Sequence, residues 1–172
     1  MKEIVKLGKY LFIICVIAGL ALAVTSYFTS KKIAQRKLIA EQEALKEVLP
    51  SASNFQAKDI YTEGFDTQNN TVGYILKITA VGYSSEISAL IGLDKEFKIT
   101  GIKILSQNET PGLGTKIIEH SFLSQFIGKF SEEVLLKKDG GKIDAITSAT
   151  ISSRAITNAI REKINEFKKT VK

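Results

Sequence analysis

Residues 10–30 carry no charged side chain, and 11–24 are almost wholly apolar. A run of this length reaches the roughly 20 residues that cross about 30 Å of hydrocarbon. Tyr10, Tyr27 and Phe28 stand at its ends, as interfacial aromatics do. The pattern then changes. Over 33–49, Ala34, Leu38, Leu45, Val48 and Leu49 recur near helical spacing among Glu, Lys and Gln, and Pro50 stops the helix. Residues 59–70 are polar and end in Gln68-Asn69-Asn70, which predicts a turn and no regular element. Three strands are predicted next. Residues 71–83 and 85–93 are rich in β-branched and aromatic side chains, and 97–105 alternate polar with apolar. Asp94-Lys95-Glu96 supplies the hairpin turn between the last two. Residues 116–126 and 131–136 read as helical or irregular, Asp139-Gly140-Gly141 as a turn and 142–146 as a short strand. After Thr150, Ile156, Ile160, Ile164 and Phe167 fall on one helical stripe, with Ser152 or Ser153 as the cap.

Strands grouped together between helices predict an α+β fold: an N-terminal transmembrane helix, then one domain with an antiparallel sheet and packed helices. The divisions are a basic segment at 1–9, the span at 10–30, a helical connector at 31–50 and the domain at 51–172. The rival reading of the N-terminus is a cleaved signal with Ala21-Leu22-Ala23 as its cleavage site. The uncharged run continues seven residues past Ala23, which favours the retained anchor. Lys2, Lys6 and Lys9 precede the span, and Lys31, Lys32, Arg36 and Lys37 follow it. By basic count alone the C-terminal flank is cytoplasmic.

Charge adds an exclusion. The residues after 30 hold 21 basic and 17 acidic side chains, near +4, with no basic stripe interleaved with aromatics. That excludes nucleic acid as the expected partner. The single cysteine, Cys15, lies inside the apolar span, so the domain has no thiol for a disulfide or an iron–sulfur centre. His120 is the only histidine, and no metal site is expected there. No nucleophile–histidine–acid set is present, and Glu132-Glu133 reads as an exposed turn.

Two segments carry candidate chemistry. In Asp144-Ala-Ile-Thr147-Ser148-Ala149-Thr150, a threonine hydroxyl immediately precedes a long amphipathic helix. A helix start offers unpaired N–H donors and partial positive charge, where a phosphate is stabilised. Upstream, Glu109-Thr110-Pro111-Gly112-Leu113-Gly114-Thr115-Lys116 is a tight loop without bulky obstruction, so its backbone can approach a planar or anionic ligand. The plain alternatives are a helix cap at Thr150, a simple chain reversal at Pro111-Gly112, and surface charges at Glu109 and Lys116.

These two segments, in this order, resemble the FMN-binding subunits of Rnf and of Na+-translocating NADH:quinone reductase complexes. In that family a flavin transferase joins FMN through a phosphoester to the last Thr of a Ser/Thr-Gly-Ala-Thr motif, and Glu-Thr-Pro-Gly-Leu-Gly is similar to its loop lining the flavin ring. The resemblance covers most of 50–170 and the anchor, and the short chain is more like the G subunit of Rnf than the longer C subunit of the quinone reductase. It implies covalent FMN on Thr150, with Thr147, Ser148 and Ala149 beside the phosphate. Glu109, Thr110, Gly112, Leu113 and Gly114 would lie toward the ring, with Lys116 offsetting negative charge. Asp144 would be read by the transferase. Ser148 stands where the family more often has Gly. The resemblance further implies a subunit that relays electrons between neighbouring centres of a ferredoxin:NAD+ oxidoreductase moving Na+ or H+. The domain would lie on the outer face of the cell membrane, and the substrates would bind other subunits. A stand-alone tethered flavoprotein and a non-redox tethered binding module are the alternatives.

Overall fold

The computed structural model describes residues 2–171. The side chains of Lys2, Val5, Lys31, Lys32, Ala34, Gln35, Lys37 and Leu38 lie outside what is described, so neither the flanking charge balance nor the stripe positions Ala34 and Leu38 can be followed there. The chain divides into two compact units, 1–40 and 41–172.

The first unit is helical throughout its described length. Its described residues belong to helix α1 (Lys2–Val48), whose bounds take in both the predicted span and most of the predicted helical connector. Lys6–Ser30 is long and apolar enough to cross a membrane. Two of its hydroxyls bond back to the helix: Thr25 Oγ1 donates to the Ala21 carbonyl at 2.8 Å and Ser30 Oγ to the Ser26 carbonyl at 2.6 Å.

The second unit is built on a five-stranded antiparallel meander in the order β1–β2–β3–β4–β5. The strands are Asn54–Ala57, Thr62–Phe65, Thr71–Val81, Glu86–Asp94 and Ile99–Ser106. The three longer strands fall where alternation and β-branching predicted them. The short pair β1 and β2 does not. Residues 59–70 were expected to be loop, yet Thr62–Phe65 pairs with β3 on one side and β1 on the other. Four-residue strands with mostly half-exposed side chains have no periodicity to read. Their ladder with β3 is what makes them strands.

Alternation along β3 and β4 assigns the two faces. Leu76, Ile78 and Ala80 of β3 join Ile87, Ala89, Ile91 and Leu93 of β4 in the main core. Helix α3 (Thr150–Val171) covers this face with Ile156, Ile160, Ile164 and Phe167, the predicted stripe, all buried. On the opposite face, Ile75 and Leu90 pack under Ala44, Val48, Leu49 and Ala52. There Thr100 Oγ1 donates to the Val48 carbonyl at 2.6 Å, fixing the end of α1 on the sheet.

Between β5 and α3 the chain forms a strap of short helical turns: 3₁₀ at Gly114–Ile118, α2 at His120–Leu123, and 3₁₀ again at Ser124–Phe126. Ile117, Phe122 and Phe126 anchor the strap in the main core. Backbone bonds Gly128 N–H to Ile99 C=O (2.7 Å) and Ile99 N–H to Lys129 C=O (3.1 Å) tie it to the edge of β5. The strand expected at 142–146 is instead a single parallel bridge between Leu136 and Ile143, because only that short stretch finds a backbone partner. The predicted turn at 139–141 is present, with Gly140 at φ 86°.

Candidate functional site

Two tight turns face each other across a cleft. In the first, Leu113 N–H closes on the Thr110 carbonyl at 3.2 Å, with Pro111 and Gly112 in the centre. Gly112 has φ 76°, the left-handed conformation that the third residue of a type II turn requires. Gly112 N–H also donates to Thr115 Oγ1 at 3.0 Å, and Thr115 N–H to the Thr110 carbonyl at 3.3 Å. In the second, Ala149 N–H closes on the Ile146 carbonyl at 3.0 Å, with Thr147 and Ser148 in the centre. Ser148 takes φ 66°. Here the sequence departs from the Gly more usual in the related motif, and the backbone still adopts the conformation glycine favours. A left-handed residue other than glycine costs about 1–2 kcal/mol, part of which the looser unfolded chain of a glycine variant gives back. Ser148→Gly is therefore expected to stabilise the folded protein by about 0.5 kcal/mol. A thermal melt showing net destabilisation would count against that account of the turn.

Helix α3 begins at Thr150, directly after the second turn. Ser152 and Ser153, expected as caps, lie within its first turn and point inward. Ser153 Oγ accepts from Ile146 N–H at 3.1 Å and donates to the Ala149 carbonyl at 2.9 Å, stapling the turn to the helix. The N–H groups of Thr150, Ile151 and Ser152 have no acceptor in the protein among the described residues. Ser153 N–H is the first to find one, at the Ala149 carbonyl, 3.0 Å away. The half-buried Thr150 side chain and the exposed hydroxyls of Thr147 and Ser148 likewise make no hydrogen bond among the described residues.

Glu109 holds these parts together. It is only 3% exposed, and it is the one buried carboxylate among the described residues. Its carboxylate accepts from the backbone of the β3–β4 turn: Tyr83 N–H at 3.1 Å, Ser84 N–H at 3.0 Å and Ser85 N–H at 2.9 Å. Ser85 Oγ adds a longer bond at 3.3 Å, and Ser152 Oγ, 43 residues away in sequence, donates from the first turn of α3. Gly82 and Gly114 make room for it, since a Cβ on Gly82 would come within 2.5 Å of Glu109 Oε1 and one on Gly114 within 2.7 Å of Glu109 Cβ. Burial pushes the Glu109 pKa up, but the Ser152 hydroxyl and the Ser84, Ser85 and Tyr83 N–H groups outweigh it, so the carboxyl titrates below its ordinary range. The side chain is thus an ionised clamp joining three segments, not the surface charge that its sequence context also allowed.

Tyr83, Glu109, Thr110, Leu113 and Gly114 form one wall of an open cleft of about 310 Å³, and Ser148, Ala149, Thr150, Ile151 and Ser152 form the other. Both predicted segments therefore meet, with apolar Leu113 and Ile151 and the ring of Tyr83 among the lining. A second cleft, of about 410 Å³, shares Ser148 and Thr150 with the first and is also lined by Lys137, Lys138, Asp144 and Thr147 among others. Asp144 is exposed there and paired with Lys137 at 2.7 Å, while Gln125 holds its backbone through Asp144 N–H at 2.7 Å. Thr147 and Asp144 thus line the second cleft and not the first. Lys116 is exposed and lines neither cleft, and Gly112 shapes the first turn without lining the cleft. Tyr83, Ile151, Lys137 and Lys138 were not singled out from sequence, and Ser152 was expected only as a helix cap. Gly82-Tyr83-Ser84-Ser85 between two strand patterns was a turn signal, but nothing in it pointed to Glu109.

The residues fit FMN. Unpaired N–H groups and a free hydroxyl at a helix start suit a phosphate. A cleft of about 300 Å³ with apolar walls, at the small end of ligand sites, takes in part of a flavin and leaves the rest exposed.

Residues 82–165, the stretch that holds both walls of the cleft, match the FMN-binding domain family. The fold is shared with the crystal structure of Shewanella oneidensis NqrC (TM-score 0.51, 20% identity, 73% of this chain and 74% of that one). It is also shared with the C subunit of the Na+-translocating NADH-quinone reductase from Parabacteroides distasonis (TM-score 0.51, 22% identity, 63% and 61%). More particularly, the chain belongs to the family of G subunits of ion-translocating oxidoreductase complexes. It is 33% identical to the G subunit of the ion-translocating oxidoreductase complex of Methanosarcina acetivorans over 95% of this chain and 94% of that protein. It is 34% identical to the G subunit of the Na+-translocating ferredoxin:NAD+ oxidoreductase complex of Acetobacterium woodii over 96% and 92%. Its counterpart in the proton-translocating ferredoxin:NAD+ oxidoreductase complex of Clostridium ljungdahlii is 30% identical over 96% and 92%.

Proposed function

We propose that this chain is an electron-relay subunit of a membrane-bound, Rnf-type ferredoxin:NAD+ oxidoreductase coupled to Na+ or H+ movement, with FMN joined through its phosphate to the Thr150 hydroxyl. The observation that carries this is the start of α3. Three N–H groups and a threonine hydroxyl that find no partner among the described residues open there onto the cleft walled by the Glu109–Gly114 loop. When bound, FMN supplies reversible one- and two-electron chemistry. The protein's part is attachment and surroundings. Thr150 Oγ1 would join the flavin phosphate with net loss of water, its O–P bond forming as a P–O bond of the phosphate breaks and the hydroxyl proton leaves, and the N–H groups of Thr150, Ile151 and Ser152 would stabilise the ester's remaining charge. Leu113, Ile151 and Tyr83 offer apolar surface to the ring, and Glu109 keeps that wall rigid. The second cleft, with Asp144 and its Lys137 partner, leaves Thr150 open to a flavin transferase during maturation. Relatives aligned over nine-tenths of both chains support the multi-subunit reading over a stand-alone flavoprotein. Lys6–Ser30 serves as the retained anchor, with the domain on the outer face.

One experiment addresses attachment and placement together. Cells producing this protein with a flavin transferase should yield an intact mass raised by FMN less water. Protease added to the unbroken cells should remove the fluorescent domain. An unmodified mass would sink the flavin assignment, and a domain spared until lysis would reverse the topology.

A further inference from the structure

The lining of the cleft is unbalanced in charge. Glu109 is its one carboxylate, and no lysine or arginine lines it. Nearby cations do not correct this, since Lys137 and Lys138 line the other cleft and Lys116 is exposed outside both. The carboxylate is buried and fully engaged by the β3–β4 turn and Ser152. The donors of the β3–β4 turn and the Ser152 hydroxyl are therefore committed to it, and the N–H groups at the start of α3 are taken up by the phosphate in the reading above.

We propose that Glu109 is a positioning and potential-setting residue. It fixes three segments of the cleft and, as the only formal charge in the lining, it lowers the reduction potential of the flavin held there. The inference rests on the flavin reading above. Reduction of FMN by two electrons and one proton adds one negative charge to the ring system, whereas two electrons and two protons add none. A fixed anion in a wall of low polarity disfavours the first product and makes reduction harder wherever proton uptake lags electron uptake. A relay held at low potential passes electrons onward more readily than it keeps them.

The test uses the full chain loaded by a co-expressed flavin transferase and titrated with dithionite and redox mediators, following flavin absorbance. Glu109→Gln removes the charge and is expected to raise the midpoint. The expected change is at least tenfold in the reduction equilibrium, which is about 30 mV for a two-electron couple. Ser152→Ala removes a donor from the carboxylate but leaves its charge less compensated, so its midpoint should fall. A merely structural clamp would loosen the same wall in both variants and move both potentials the same way. Shifts of one sign, or none in either, overturn the proposal. Should Glu109→Gln fail to fold, Ser152→Ala decides alone: a lower midpoint supports the charge effect, and an unchanged or higher one ends it. A wild-type chain that takes up no flavin refutes the underlying reading instead, and this inference falls with it.

Discussion

Thr150→Ala, produced beside an active flavin transferase, is expected to carry no covalent flavin while folding as well as the wild type. The chemical half follows from the missing oxygen, since without Oγ1 no phosphoester can form at this position. The folding half follows from the surroundings. The Thr150 side chain is half-buried and makes no hydrogen bond among the described residues, and alanine is a good helix former. Its removal should change stability by no more than about 0.5 kcal/mol, the range of substitutions that break no packing or hydrogen bond. Thr150→Ser keeps the oxygen and should retain the adduct. Intact mass and in-gel flavin fluorescence read the first half, and a thermal melt reads the second. A Thr150→Ala protein that still fluoresces would move the anchor to Thr147 or Ser148, whose hydroxyls are also unpaired and exposed.

Glu109→Ala should have the largest effect on stability. It leaves the N–H groups of Tyr83, Ser84 and Ser85 and the Ser152 hydroxyl without their shared acceptor. Only the Ser152 donor is buried, at about 1–3 kcal/mol for leaving it unsatisfied; the turn N–H groups are part-buried and each costs less, because water reaches them. A net loss of about 3 kcal/mol is expected, roughly 10 °C in Tm for a domain of this size. Calorimetry on the detergent-solubilised chain measures it, and a loss under about 1 kcal/mol would contradict the clamp.

The same group makes a pH prediction. Its pKa is depressed from the ordinary 4.5, so its contribution is fully present above that value and is lost as pH falls through the lower folded-state pKa. Wild-type stability should therefore decline in acid below about pH 4.5, and the gap between wild type and Glu109→Ala should narrow there. The decline does not vanish in the variant, because Glu63, Asp66, Glu132, Glu133 and Asp139 are also held below their usual range. A gap that stays constant down to pH 3 would mean that the neutral carboxyl holds the three segments equally well.

Much of the fold was legible because its signals are periodic and local. The stripe Ile156-Ile160-Ile164-Phe167 marks one face of α3, and β-branched runs mark β3 to β5. The uncharged run marks the apolar length of α1. What escaped was the part without a period. Strands β1 and β2 exist because β3 offers them a ladder, and 142–146 failed to become a strand because no strand lies beside it. Ser152 and Ser153 show the same limit. Their side chains suit a cap, but the helix starts earlier and buries both, one on Glu109 and the other on the turn before Thr150.

The sequence by itself determined the two segments of the candidate site, because hydroxyls before an amphipathic helix and a Pro-Gly turn are written in consecutive residues. Only the tertiary structure decided which residues of those segments face one another. It turned Glu109 inward as a clamp, left Lys116 outside both clefts, and put Thr147 and Asp144 in the second cleft instead of the first. The physical reason is that a carboxylate's role is set by the donors it meets. Those of Glu109 come from a hairpin turn more than twenty residues before it and a helix start 43 residues after it. No local pattern in the chain records that meeting.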